Sequence, residues 1–422
     1  MLKSRLIPAL VAMAFSGSAT ASGFALQNQT GSGNGNAFAG AAAAAEDAGT
    51  IMWNPAGMSF LPKGHNIAVA GTLLYRDIDY SDNGSTALVP ALGTTDGGNA
   101  GGLSLIPAGY WAYGINDRLS VGVGVSPTFG NVTEYDFDFV GRNAGYFAEI
   151  KQININPSIA YRVNDKLSLG FGLNFAHNTT HFKQGLALGA LAATTNHLDV
   201  EGDDWAMGWN FGAMFQVSPS TRIGLSYRSE LTFKLEGDQS ASISPVNAAT
   251  VSQDIKATLK TPASVSIAVS QKLNDRWEML GDIGWTDWSV VDIIQLKSKA
   301  TGGNLSALSY NFKDTWRIGF GANYQYSDKV KVRFGIAHDK SPVKSAADRT
   351  MTLPDSDRTW LSIGAKYQLS PKSSLDVGYT HIFFDKEKTA RAVMSGPIAI
   401  QTINGEWSNS VDILSLQYNH NF

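Results

Sequence analysis

Apolar and polar residues alternate with a period of two along most of the chain from about residue 65 onward. In Thr315–Ser327, Trp316, Ile318, Phe320, Ala322, Tyr324 and Tyr326 fall on one face, and Arg317, Gly319, Gly321, Asn323 and Gln325 on the other. Successive strand side chains point to opposite sides, so this reads as a strand with one apolar and one polar or small face. A soluble sandwich alternates too. Length and aromatic placement separate the two: the run reaches about 12 residues against a usual ~5–6. Its aromatics also sit at both ends of the apolar face, the girdle arrangement of a lipid-facing barrel strand.

The breaks between strands carry more. Short polar turns recur at Asn116–Arg118, Asn164–Lys166, Ser218–Ser220, Asn274–Arg276, Ser327–Lys329 and Ser370–Lys372, each with an Asp or a Pro that favours a tight turn. Longer polar stretches lie between them, at 81–99, 137–143, 183–203, 239–254, 299–307, 343–356 and 393–406. Six turns and seven loops imply fourteen strands. An even strand count, short periplasmic turns and long outer loops are the signature of an outer-membrane barrel, with both termini periplasmic. The tail agrees: Leu414, Leu416, Tyr418, His420 and Phe422 share one parity.

The ends of the chain refine this. Lys3 and Arg5, the apolar run Leu6–Phe15 and Ala19-Thr20-Ala21 compose a signal peptide over 1–21, with Ser22 starting the mature chain. Residues 22–63 do not alternate. They hold Gly31-Ser32-Gly33, an Ala-rich stretch over 36–47 with good helix propensity, and Asn54-Pro55-Ala56. A fourteen-stranded barrel is too wide for side chains alone to fill, so this segment is expected to be a partly helical hatch in the lumen. The expected organisation is signal 1–21, hatch 22–63 and barrel 64–422, an all-β, 14-stranded antiparallel transmembrane fold.

Composition narrows the chemistry. Only 16% of residues are charged and the formal net charge is −3, so a nucleic-acid partner is not expected. With no cysteine, thiolate metal sites, disulfides and a Cys nucleophile are excluded. His177 and His181 have zincin spacing but sit on a strand, where i and i+4 are about 13 Å apart. No dinucleotide or nucleotide fingerprint occurs. No catalytic residue, metal or cofactor is therefore expected.

Several segments together resemble the FadL family of outer-membrane transporters of long-chain fatty acids and other hydrophobic compounds. They are Ser22–Gln27, Glu46–Gly49 leading into Asn54-Pro55-Ala56, Trp209–Gly212, Tyr227–Glu230, Phe312–Ile318, Ser341–Val343 and Leu353–Arg358. The resemblance implies a passive route: capture at apolar outer loops, a lumenal pocket, and lateral exit where the third strand kinks. Asn54, Pro55 and Ala56 would be the hatch motif.

Each part has candidates. Strand three runs from Leu119 to about Asp136 and meets Pro127, Phe129, Gly130 and Asn131, where a kink and wall opening are expected; an ordinary strand end is the alternative. Leu186, Leu188 and Leu191 make loop 183–203 apolar, suited to ligand capture or to packing on a neighbouring loop. Arg317, Arg349 and Arg358, beside Trp360 and Phe24, are candidates for the pocket and its carboxylate site, or braces paired with nearby Asp residues. The expected partners are outer-membrane lipid and a long-chain fatty acid or other hydrophobic molecule, with the chain acting as a monomer. Aromatic hydrocarbon uptake, adhesion or phage docking, and a general porin remain as alternatives.

Overall fold

The computed structural model describes residues 23–88, 93–186, 196–243, 251–395 and 397–422; the expected signal peptide lies outside them. Fourteen strands follow in chain order. They are β1 Gly64–Asp82, β2 Gly102–Gly114, β3 Leu119–Glu134, β4 Phe147–Arg162, β5 Leu167–Gly185 and β6 His197–Ser218. Next come β7 (Thr221–Arg228, continuing as Leu231–Ser242), β8 (Val251–Thr261 and Ser264–Lys272) and β9 (Trp277–Thr286 and Ile293–Ser298). The last are β10 (Asn304–Ser309 and Thr315–Gln325), β11 Val330–Asp339, β12 Arg358–Ser370, β13 (Ser373–Phe384 and Glu387–Ser395) and β14 Ile398–Asn421. Each pairs antiparallel with its neighbours. β1 closes the cylinder on β14, from Asn66 opposite Asn421 to Asp82 opposite Gly405. Closing first strand on last is how a sheet satisfies its backbone in lipid.

The alternation sets the faces. Ile318 and Phe320 point outward and are exposed, while Arg317 between its apolar neighbours is buried. All six short turns fall between strands. The polar stretches differ from expectation: 197–203, 239–242, 304–307 and 398–406 are strand, not loop. These strands outrun the apolar band, and beyond it both faces meet water, so polarity there stops marking a loop.

The N-terminal segment lies inside the cylinder. Its helices α1 Gly31–Asn34, α2 Ala41–Ala44 and α3 Thr50–Trp53 have four residues each, followed by a 3-10 turn over Pro55–Phe60. The Ala-rich 36–47 stretch is therefore not one helix. Ala37, Phe38 and Ala45 adopt left-handed backbone (φ 50°, 57° and 48°), an unfavourable state for residues with a Cβ. Wall contacts overrule propensity here: Arg317 of β10 donates to the Ala37 carbonyl, and the Gly40 N–H donates to Asp282 of β9 at 3.2 Å.

Two further anchors hold the segment. Arg333 of β11 pairs with Glu46 at 2.7 Å and with Asp376 of β13 at 2.8 Å, all three largely withdrawn from solvent. Burial alone would push the Glu46 carboxyl up, but Arg333 and Lys331 hold it well below its usual 4.5. On the other side, the Asn54 amide nitrogen donates to the carbonyls of Ala42 (2.8 Å), Ala213 of β6 (3.1 Å) and Leu225 of β7 (3.2 Å). The wall leaves room for this docking: a Cβ on Gly212 would stand 1.9 Å from Asn54 Oδ1, and one on Gly170 2.2 Å from the Ala56 nitrogen.

Candidate ligand cavity and wall opening

Above the hatch the lumen holds a cavity of about 1040 Å³ of non-atom space, open solvent included. Ala25, Phe38, Trp53, Phe129 and Trp288 give it apolar walls; Arg228, Asp282, Arg317 and Asp339 bring charge. Towards the long-loop end lies a second, more apolar space of about 640 Å³, lined by inward residues such as Ile150, Phe182, Val200, Leu235, Leu259 and Leu308. One buried cluster joins the two, running from Ile150, Leu235 and Leu259 through Phe233 and Leu231 to Phe129, Trp288 and Phe24. Apolar side chains are therefore continuous from the loop end to the lumenal cavity.

The candidate pocket residues are distributed unevenly. Arg317 lines the cavity but is committed to Asp282, at 3.0 Å, and to the hatch. Phe24 packs edge-on against Trp288 (5.0 Å between centroids) and Phe129 (5.7 Å), behind the cavity wall. Arg349, Arg358 and Trp360 are not among its lining. Arg349 pairs with Glu387 at 3.2 Å and donates to the Asp355 carbonyl at 3.0 Å; Arg358 pairs with Asp355 at 2.7 Å. Both brace the segment between β11 and β12. Trp360 is buried in a separate cluster with Leu26 and Phe38.

Arg228 was missed by the sequence reading. It lines the cavity, donates to the Met52 carbonyl at 2.9 Å and to Asn174, and pairs with no carboxylate among the described residues. A signal existed: Ile223, Leu225 and Tyr227 alternate with Arg222, Gly224, Ser226 and Arg228, which puts Arg228 on the inward parity.

The wall is interrupted beside this cavity. β2 and β3 pair only from Gly109 opposite Val125 to Gly114 opposite Ser120. Above Val125, β3 stays paired with β4 but shifts register between Pro127 and Phe129, a bulge at Thr128. Proline lacks the ladder N–H, and a bulge bends its strand. The edge that β3 turns away from β2 is taken by the N-terminal segment: Leu26 N–H donates to the Thr128 carbonyl at 2.9 Å and Gly130 N–H to the Phe24 carbonyl at 2.8 Å. The Gln29 side chain adds a bond to the Pro127 carbonyl at 2.9 Å. Asn131 donates to the Thr352 carbonyl at 3.0 Å.

Of the loop candidates, Leu186 is half-buried at the root of its loop, its N–H bonded to the Asn196 carbonyl at 3.0 Å. Leu188 and Leu191 lie outside the described residues. His177 and His181 turn to Asp203 (3.0 Å) and Asp199 (2.7 Å) on β6, each to its own partner.

Residues 12–422 match the profile of the family described as outer membrane protein transport protein (OMPP1/FadL/TodX). The chain belongs to the FadL/TodX family. Members of the FadL/TodX family are outer-membrane transport proteins rather than enzymes, and this chain is an outer-membrane transporter of hydrophobic compounds. The chain is 34% identical to a 47 kDa outer membrane protein of Pasteurella multocida, covering 87% of this chain and 88% of that one. It is 29% identical to the long-chain fatty acid transport protein of Escherichia coli K12, over 93% and 94% of the two chains. Among solved structures, a FadL homologue from Pseudomonas aeruginosa superposes with a TM-score of 0.86 at 24% identity, covering 95% of this chain and all of that one. The Pseudomonas putida toluene transporter TodX gives 0.70 at 16% identity, over 95% of this chain and all of TodX. Both structural likenesses speak to the fold.

Proposed function

We propose that this protein takes up long-chain fatty acids passively across the outer membrane. Both termini face the periplasm and the chain works as a monomer. The acyl chain enters the apolar space under the outer loops, moves along the buried cluster into the lumenal cavity, and leaves sideways between β2 and β3 beside Pro127–Asn131. Displacement of residues 24–26 from the edge of β3 frees that exit. The observation that carries this reading is the unpaired wall between β2 and β3 next to a cavity that is apolar apart from a few charges.

The route suits the cargo. Each CH₂ exposed to water costs about 0.8 kcal/mol, so an aqueous path through the hatch would oppose transport, whereas a sideways exit delivers the tail directly to lipid. The relative from E. coli, named as a long-chain fatty acid transport protein, supports the substrate class. So does Arg228, a cavity cation that has no carboxylate partner among the described residues and is held by the Met52 carbonyl and Asn174. The anchored hatch speaks against a general porin.

The test is covalent closure of the wall. Cysteines placed at Ser104 and Gly130, joined by a short bifunctional reagent, should abolish uptake of labelled oleate while the purified protein still binds it. Uptake at the uncrosslinked rate would reject the lateral exit.

A further inference from the structure

The break between β2 and β3 has an upper rim as well as a lower one. Below, the ladder ends at Gly109 opposite Val125. Above, the strands meet again where the Glu134 N–H donates to the Ala100 carbonyl at 3.1 Å. Between these points, residues Gly102–Ala108 of β2 have no partner on β3.

Arg76 of β1 sits at the upper rim, in register with Gly102. Its side chain points into the barrel, between Leu74 and Ile78, and is 2% exposed. The guanidinium donates to the carbonyl of Val132, on the displaced half of β3, while Nε has no partner. No carboxylate among the described residues pairs with it, in contrast to Arg317, Arg333, Arg349 and Arg358. A buried cation without a counter-charge is costly. Along the opening, Ser104 on β2 and Ser126 and Thr128 on β3 carry buried hydroxyls, with Ser126 at the lower end and Arg76 at the upper. The opening is thus cationic at its upper rim and carries hydroxyls along its length.

We propose that Arg76 reads the head group of the molecule leaving through the wall. The carboxylate of a departing amphiphile replaces the Val132 carbonyl as acceptor for the guanidinium. Its charge stays compensated while it sheds water, and β3 is released from β1 in the same exchange. An uncharged molecule of equal length finds no such compensation, so the rim favours anionic amphiphiles over neutral ones. This assignment rests on the lateral exit proposed above, and it concerns a residue apart from the lumenal cavity.

The test compares labelled oleate with labelled oleyl alcohol in cells lacking other fatty-acid transporters. Arg76→Gln should slow oleate uptake about ten-fold or more and change alcohol uptake by less than about two-fold, as loss of one charge-assisted bond predicts. Arg76→Lys should restore most of the oleate rate. Ser104→Asp, which keeps Arg76 but hands it an internal carboxylate from the position beyond Gly102, should reproduce the selective loss; this variant decides the matter if Arg76→Gln fails to assemble. Equal slowing of both cargoes would show that Arg76 only braces the wall, and no change in either would show that it is idle; each overturns the assignment. The Ser104–Gly130 closure keeps the two ideas separable. If closure leaves uptake intact, the lateral exit itself fails; if closure blocks uptake while Arg76→Gln treats both cargoes alike, only the role of Arg76 falls.

Discussion

Ala25 and Phe129 face each other as an antiparallel pair, with hydrogen bonds from Leu26 to Thr128 and from Gly130 to Phe24 on either side. This is the close, non-hydrogen-bonded kind of pair, whose Cα atoms stand about 4.5 Å apart in ordinary sheets. The N-terminal segment therefore acts as a short strand filling the edge that β3 exposes when it leaves β2.

That pairing makes the N-terminus lockable. The chain has no cysteine of its own, and the spacing of such a pair suits a disulfide. Ala25→Cys with Phe129→Cys should form one on oxidation, stop oleate uptake, and recover on reduction. Uptake that is indifferent to the redox state would show that residues 24–26 need not move.

The two cavity arginines should behave differently. Arg228→Gln removes a cation with no carboxylate partner among the described residues, so oleate affinity should fall by roughly 1.5–3 kcal/mol, the worth of a charge-assisted bond, while the hatch loses one tether, at the Met52 carbonyl. Arg317→Gln strands the buried Asp282 and the left-handed turn at Ala37. It should loosen the hatch by about 3–5 kcal/mol, as a broken buried pair does. Calorimetric titration with oleate and protease access to the hatch would separate the two effects.

Asn54 should act as a fastener rather than a ligand. Asn54→Ala leaves the carbonyls of Ala42, Ala213 and Leu225 without this donor, a cost of roughly 1–3 kcal/mol for each one left unsatisfied. The expected result in planar bilayers is flickering ion conductance that the native protein lacks.

Acid should loosen the N-terminus. Asp355, between β11 and β12, accepts the Gly23 N–H at 3.3 Å and the Ser341 hydroxyl at 2.8 Å. Burial pushes its carboxyl up from 3.8 to about 6, against the pull of Arg358. Between those two values the folded state binds the proton more tightly than the unfolded chain. Its contribution to global stability therefore declines as pH rises from about 4 to about 6. Locally the sense is opposite, because protonation removes the negative charge that holds Gly23 and Arg358. Hydrogen exchange at residues 23–26 should be faster at pH 5 than at pH 7 after correction for intrinsic rates, and Asp355→Asn should erase the difference.

Much of the architecture was written in local pattern. A period of two decides which side chains face lipid, and Asn-Asp or Ser-Pro turns decide where strands reverse; both act over a few neighbouring residues. Fourteen strands and a non-alternating first segment were legible for that reason. Parity also placed Arg317 and Arg358 inside, but it could not say what they meet there. Asp282 lies 35 residues before Arg317 and faces it only because β9 and β10 pair across the wall. Arg228 meets no carboxylate among the described residues because a neighbouring strand and α3 bring it amide and carbonyl oxygens instead. The Ala-rich stretch had the propensity for a helix and lost it to tethers from β9 and β10. Side-chain direction is a property of the strand alone, whereas partnership depends on register around a closed cylinder and on what is docked in its bore.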